Sequence, residues 1–153
     1  MDVAVGKYIF RNTGNADLGL GSMLNEMAKG LAAIFQGAYF IIAPFIGVLG
    51  SFMSGSNTVS NTLFSSLQFE TATILGMNTV LIVALQNNGG AIGNMICVNN
   101  VVSACATTGT NGNEGRIIRA NIIPCAVFCI IVVLVVGIAI ALGANPQALP
   151  YAT

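Results

Sequence analysis

The chain has 153 residues, of which 55% are hydrophobic and 7% are charged, and its formal net charge is zero. A soluble domain carries about 25% charged residues and a nucleic-acid-binding surface needs clustered lysine and arginine, so this composition excludes both classes. Forty uncharged residues follow Lys29, forty-three follow Glu70 and thirty-four follow Arg119, which leaves the lipid bilayer as the natural solvent.

The first seventy residues predict a surface lead-in followed by a helical hairpin. Residues 1–30 are mixed and end in an amphipathic pattern, which predicts a lead-in at the membrane surface. Residues 31–69 contain an apolar arm interrupted by Pro44, a polar stretch at 54–62 and a short second arm. Because a spanning helix needs about 20 residues, the second arm is too short to cross alone. The pattern predicts a re-entrant hairpin whose polar tip lies inside the membrane.

The second half predicts two further membrane segments. Residues 77–106 have the pattern of one crossing, interrupted by amides and glycines at 86–90. Residues 117–144 end in a long run without a polar side chain, which is typical of a complete transmembrane helix. The predicted fold class is therefore all-α: a polytopic integral membrane protein with a re-entrant helical hairpin and a discontinuous transmembrane helix.

Both interruptions carry groups suited to binding a small anion. A helix that begins inside the membrane presents unpaired N–H groups and a partial positive charge, which stabilise a carboxylate without a cationic side chain. Gly55 permits a turn, and Ser56 or Asn57 can cap the returning helix, while Gly89 and Gly90 permit an unwound link. The predicted substrate-binding residues are Ser56, Asn57, Thr58, Ser60 and Asn61 in the hairpin, with Asn87, Asn88, Gly89, Gly90 and Asn94 in the broken helix.

Simpler interpretations of some of these residues stay open. Gly89 and Gly93 form a GxxxG pattern, which often marks only a close helix contact. Serine and threonine in membrane helices often bond to a carbonyl one turn earlier. Glu70 fits either a proton-coupling carboxylate or a solvated position where the hairpin leaves the membrane. Arg116 and Arg119 fit topology signals at the start of a transmembrane helix.

The sequence predicts no metal site, no cofactor and no enzymatic activity. The chain has no histidine, and its four cysteines lie in apolar stretches without CxxC spacing, as small buried hydrophobic residues do. Without histidine or paired carboxylates, no nucleophile has a base partner.

Several linked segments resemble the bacterial L-lactate permeases in order and spacing, over about residues 7–142. The segments are Pro44 to Gly50, Ser54 to Asn61, Leu63-Phe64, Leu67-Gln68, Ala84 to Gln86, Gly89-Gly90, Gly93 to Ile96, Asn100 to Val102, the loop Gly112 to Gly115 and the closing hydrophobic helix. The resemblance implies a carrier that moves lactate, and often glycolate, across the bacterial cytoplasmic membrane with a coupled proton.

The family is also similar to a wider group of carriers built from two inverted repeats, each with a re-entrant hairpin and a broken helix. In that group Ser-Asn-Thr motifs at hairpin tips hold the substrate carboxylate, sometimes with sodium, which implies such a role for Ser56, Asn57 and Thr58. Such permeases are several times longer than this chain. The resemblance therefore implies a fragment whose partner is the missing N-terminal half of the carrier.

A second hypothesis comes from a different class of protein. A small membrane subunit or channel-like oligomer could function at this length, and it would need a self-complementary packing face. Gly89 and Gly93 are the residues that could supply such a face.

Overall fold

The computed structural model describes residues 22–142, and this part of the chain consists of helices joined by short connections. Six α-helices follow one another: α1 Met23–Phe35, α2 Tyr39–Ser54, α3 Asn57–Ile74, α4 Thr79–Gly93, α5 Val98–Thr108 and α6 Glu114–Ala141, with a 3-10 turn at Gln36–Ala38 between α1 and α2. The all-α prediction is confirmed.

Three segments are long and apolar enough to cross a membrane. They are Met23–Ser54, Thr79–Thr108 and Glu114–Ala141, so two of the three contain an interruption. The polytopic membrane prediction is confirmed.

Short side chains and glycines set the helix boundaries. The Ser22 hydroxyl caps α1 by accepting from the Asn25 N–H at 3.3 Å. Asn78 caps α4, where its side-chain oxygen accepts from two backbone N–H groups at 3.0 and 3.1 Å. Gly109 ends α5 in the left-handed region, at φ 68°, which a residue without a Cβ adopts at little cost.

Helices α2, α3 and α4 pack together as the centre of the described structure, α1 packs on α3, and α6 packs on α2, α4 and α5. The apolar part of this centre is small. It consists of Tyr39, Ala43, Ala72, Ile82 and Leu85, with partly buried residues from α1, α2, α6 and the α3–α4 connection around it. Polar side chains and glycines make further contacts between α2, α3 and α4.

Two boundaries differ from the sequence-based expectation. The returning arm of the hairpin is not limited to residues 63–69, because residues 57–62 already form the first turns of α3. The last helix begins at Glu114 and not at 117, and residues 143–144 of that prediction lie outside the described range. Residues 1–21 of the predicted lead-in also lie outside it, while its end is helical in α1.

The largest difference concerns the interruption in the broken helix. Residues 86–90 were expected to unwind, yet they lie within α4, and the irregular stretch covers residues 94–97. The physical reason is a close helix crossing: the glycines at 89, 90 and 93 face α2 and α3 and allow close contacts there. This packing outweighs the low helix propensity of glycine, which is about 1 kcal/mol worse than alanine in a helix interior.

Candidate functional site

The α2–α3 connection consists of two residues that reverse the chain. Gly55 adopts φ 76° and its N–H bonds to the Ser51 carbonyl at 2.8 Å, which closes α2. Ser56 is extended and its hydroxyl accepts from the Val59 N–H at 3.4 Å, so Ser56 is the N-cap of α3. The Ser54 hydroxyl donates to the Gly50 carbonyl at 2.7 Å and holds the end of α2. The turn therefore follows from a left-handed glycine and a serine cap.

Three asparagine side chains from α3 and α4 meet next to this turn, and we call them the amide cluster: Asn57, Asn61 and Asn87. The Asn87 side-chain oxygen accepts from Asn57 Nδ2 at 3.2 Å and from Asn61 Nδ2 at 2.6 Å. Asn61 Nδ2 also donates to the Asn57 oxygen at 3.2 Å. The structure thus brings the two polar segments of the sequence into direct contact, through the first turns of α3 and the middle of α4.

A chain of fully buried polar side chains lies behind the amide cluster and joins α2, α3 and α4. The Tyr39 hydroxyl donates to Gln68 Oε1 at 2.7 Å, and Gln68 Nε2 donates to Gln86 Oε1 at 3.0 Å. Gln86 Nε2 donates to Ser60 Oγ at 3.1 Å, and Ser60 donates to the Gly47 carbonyl at 3.0 Å. All four side chains are fully buried. Because buried polar groups are costly unless bonded, this chain fixes how the three helices dock.

Sequence reasoning missed Tyr39, Gln68 and Gln86 as members of such a network. The available signal was the presence of two glutamines in otherwise membrane-compatible segments, since polar side chains at membrane depth tend to face the protein interior. Ser60, which was predicted to bind substrate, has both of its hydrogen bonds inside this network.

The glycines of α4 act in the crossing with α2. A Cβ on Gly89 would overlap the Pro44 carbonyl oxygen, and a Cβ on Gly93 would lie 2.6 Å from the Val48 carbonyl oxygen. The two residues therefore contact α2 of the same chain. The face that a self-associating small subunit would use is occupied within the chain.

The irregular stretch at 94–97 lies between α4 and α5. Its Met95 carbonyl accepts from Asn121 Nδ2 of α6 at 3.2 Å, so a neighbouring helix satisfies a backbone group freed by the break. The side-chain oxygen of Asn94 is buried and has no hydrogen-bond partner among the described residues. Cys97 precedes α5 without a side-chain cap. The start of α5 therefore keeps its first backbone N–H groups free of a side-chain cap.

The N-termini of α3 and α5 lie close together. A Cβ on Gly55 would lie 3.3 Å from both Asn99 Nδ2 and Cys97 Sγ, which places the start of α5 against the turn before α3. The N-terminus of a helix carries a partial positive charge. The region between the two starts is therefore electropositive without a cationic side chain, and Asn99 is a polar neighbour that the sequence reasoning did not select.

The remaining predicted residues are distributed as follows. Thr58 is exposed on the first turn of α3. Asn88 is exposed, and its Nδ2 bonds to the Ala84 carbonyl of its own helix at 2.9 Å, so it does not join the amide cluster. Gly90 faces Asn57 and Ser51.

Glu70 lies apart from the amide cluster, thirteen residues after Asn57 on α3, which corresponds to roughly 20 Å along the helix. It lines a cavity of about 360 Å³ together with Ser65, Ser66 and Phe69 of α3, Leu24 of α1 and Val83 of α4. Within residues 22–142, no group of three or more histidine, cysteine, aspartate or glutamate side chains is placed to hold a metal ion.

Comparisons with known proteins find sequence relatives over most of the chain. The profile of the L-lactate permease family matches residues 3–143. The chain is 42% identical over 113 residues to "Putative L-lactate permease" of Haemophilus influenzae, covering 74% of this chain and 21% of that protein. It is 36% identical over 104 residues to the glycolate permease GlcA of Escherichia coli, covering 68% of this chain and 18% of that protein.

The L-lactate permease of Bacillus subtilis is 39% identical over 94 residues, which cover 61% of this chain and 17% of that protein. The chain thus spans about a fifth of the length of these relatives. No solved structure matches it. With a family profile that matches nearly the whole chain, and with three segments able to cross a membrane, this multi-pass membrane protein belongs to the L-lactate permease family.

Proposed function

We propose that this chain is the substrate-holding part of a secondary carrier for lactate, glycolate and related 2-hydroxy-monocarboxylates in the bacterial cytoplasmic membrane. Membership of the L-lactate permease family supports the class of transport, and relatives named for lactate and for glycolate support the substrate class. The proposal assigns transport and no catalysis to the chain.

The substrate carboxylate would bind at the start of α3, next to the amide cluster. The backbone N–H groups of Asn57 and Thr58 lie in the first turn, where no intrahelical acceptor is available. The positive end of the helix favours an anion there, and amide side chains supply further donors. The start of α5 adds a second positive end at the same turn.

Transport would follow from movement of this helical unit against the rest of the carrier, with the site exposed first to one side and then to the other. The buried polar chain supports this view, because it holds α2, α3 and α4 as one body. Coupling to a proton is part of the proposal and follows from the family resemblance. Sodium coupling is the alternative, and a proton gradient and a sodium gradient applied separately distinguish the two.

The observation that carries the proposal is the contact of Asn57 with Asn61 and Asn87 at a helix start. The test is uptake of labelled L-lactate by the full-length carrier in proteoliposomes, under a proton gradient or a sodium gradient alone. Asn57→Ala is expected to lower uptake at least about tenfold. The substitution removes the side-chain hydrogen bonds of Asn57 with Asn61 and Asn87, next to the proposed position of the carboxylate.

Asn113→Ala is the matched control, since Asn113 is exposed in the α5–α6 loop and its side chain bonds to the Thr110 carbonyl of the same loop. Both proteins should reach the membrane in equal amounts. Equal uptake by Asn57→Ala and the unaltered carrier would remove the start of α3 from the binding site. Uptake driven by a sodium gradient alone would show that the coupled ion is sodium and not a proton.

A further inference from the structure

One buried hydroxyl beside the amide cluster has no partner within residues 22–142. Ser51 lies on the last turn of α2 and is 0% exposed, yet its Oγ makes no hydrogen bond there. A buried hydroxyl without a partner is destabilising, so native structures rarely leave one in place without a role. Ser51 therefore requires an explanation beyond helix packing.

The usual explanation does not apply to Ser51. A serine in a membrane helix commonly bonds to the carbonyl four residues earlier, as Ser54 does with Gly50. For Ser51 that carbonyl belongs to Gly47, and it accepts from Ser60 of the buried polar chain at 3.0 Å. The Ser51 hydroxyl does not bond to its own helix.

The surroundings of Ser51 point toward the proposed binding site. A Cβ on Gly90 would lie 3.3 Å from Ser51 Oγ and would overlap the Asn57 side-chain oxygen. Gly90 therefore leaves just enough room for both oxygens on this side of α4. Ser51 and Asn57 share a neighbour, and Asn57 is the first residue of α3.

A second oxygen in the same cluster also lacks a partner among the described residues. Asn61 Oδ1 is buried and unbonded, while its Nδ2 donates to Asn57 and Asn87. An amide oxygen only accepts, whereas a serine hydroxyl both donates and accepts. A hydroxyl group, like a water molecule, can donate to Asn61 Oδ1 and accept from Ser51 Oγ, so it suits both oxygens.

We propose that Ser51, with Asn61, recognises the 2-hydroxyl of the substrate and is the residue that selects 2-hydroxy acids over unsubstituted and 2-oxo acids. This inference rests on the proposed function, because the carboxylate at the start of α3 fixes which part of the substrate reaches Ser51. A site that bonds a substrate hydroxyl discriminates against analogues that lack it, since its polar groups are then left unpaired. A 2-oxo acid accepts from Ser51 but donates nothing to Asn61.

The test is competition against labelled L-lactate uptake by the full-length carrier, with unlabelled L-lactate, pyruvate and propionate as inhibitors. In the unaltered carrier, L-lactate should compete more strongly than propionate. Ser51→Ala is expected to reduce this preference about tenfold by weakening competition by lactate, with propionate changed by less than about twofold. Ser51→Thr retains a hydroxyl and should restore part of the preference.

Thr62→Val is the matched control, because it removes a hydroxyl of the same hairpin that already bonds to the Thr58 carbonyl. An equal loss of competition by all three acids in Ser51→Ala would assign Ser51 to a structural water molecule, and an unchanged preference would remove it from the site. Either result overturns the inference. If Asn57→Ala still lowers uptake at least about tenfold, the proposed binding site survives that failure, whereas equal uptake by Asn57→Ala and the unaltered carrier removes the start of α3 from the site.

Discussion

Helix α6 and the unit of α2, α3 and α4 differ in how they use apolar surface. In α6 only Cys125 and Cys129 are buried, and 11% of its most apolar stretch is buried within the described structure. In Thr79–Thr108 the corresponding share is 39%, although this segment is less apolar. The more hydrophobic segment therefore makes fewer inner contacts. Its side chains are available to lipid or to further helices.

The comparison shows where specific structure resides in this protein. In a bilayer, apolar side chains gain little from leaving lipid, so helix contacts depend on close packing and on hydrogen bonds. Helices α2, α3 and α4 use glycines and neutral polar side chains for both purposes. Substitutions of equal size should therefore have unequal effects in the two regions.

The largest effect is expected for an added methyl group at the α2–α4 crossing. Gly89→Ala would force its Cβ into the Pro44 carbonyl, which is backbone and cannot rotate away. We expect a loss of about 3 kcal/mol in the free energy of unfolding. The measurement is thermal unfolding of the full-length carrier purified in detergent.

Gly137→Ala in α6 is the matched substitution for this comparison. Its Cβ would lie 3.8 Å from Phe40, an ordinary contact, and alanine is the better helix former. We expect unchanged or slightly raised stability. Equal destabilisation by both changes would show that the two regions do not differ in packing as described.

A smaller effect is expected for the buried polar chain. Gln86→Leu leaves one N–H of Gln68 unpaired in a fully buried position and should cost about 2 kcal/mol of unfolding free energy. The double variant Gln68→Leu, Gln86→Leu should cost less than the sum of the two single changes, because the pair is then removed together. Thermal unfolding of all three variants tests this coupling. Strict additivity would mean that the two glutamines act independently.

The smallest effect is expected at two neighbouring asparagines of α4. Asn87→Ala removes two hydrogen bonds to α3 and should raise the KM for lactate uptake about tenfold. Asn88→Ala removes a bond within α4 alone and should change KM by less than about twofold. Uptake kinetics in proteoliposomes distinguish the two. A larger change in KM for Asn88→Ala than for Asn87→Ala would indicate that the substrate contacts the face of α4 that carries Asn88.

The sequence alone determined the solvent and the class of this protein. Long stretches without charge require lipid, whatever the tertiary contacts are, and each of the three stretches overlaps one membrane-compatible segment. The turn at Gly55 and Ser56 was also predictable, because a left-handed residue and a hydroxyl cap act within a few residues of chain.

Only the tertiary structure decided how the polar segments are used. Gly89 and Gly90 predict an unwound link when α4 is considered alone, and they become helical because α2 and α3 lie against them. The choice of Asn87 over Asn88, and the pairing of Gln68 with Gln86, depend on which side of α4 faces α3. Such contacts join residues that are far apart in the chain. Local sequence patterns do not specify which helix packs against a given face of α4.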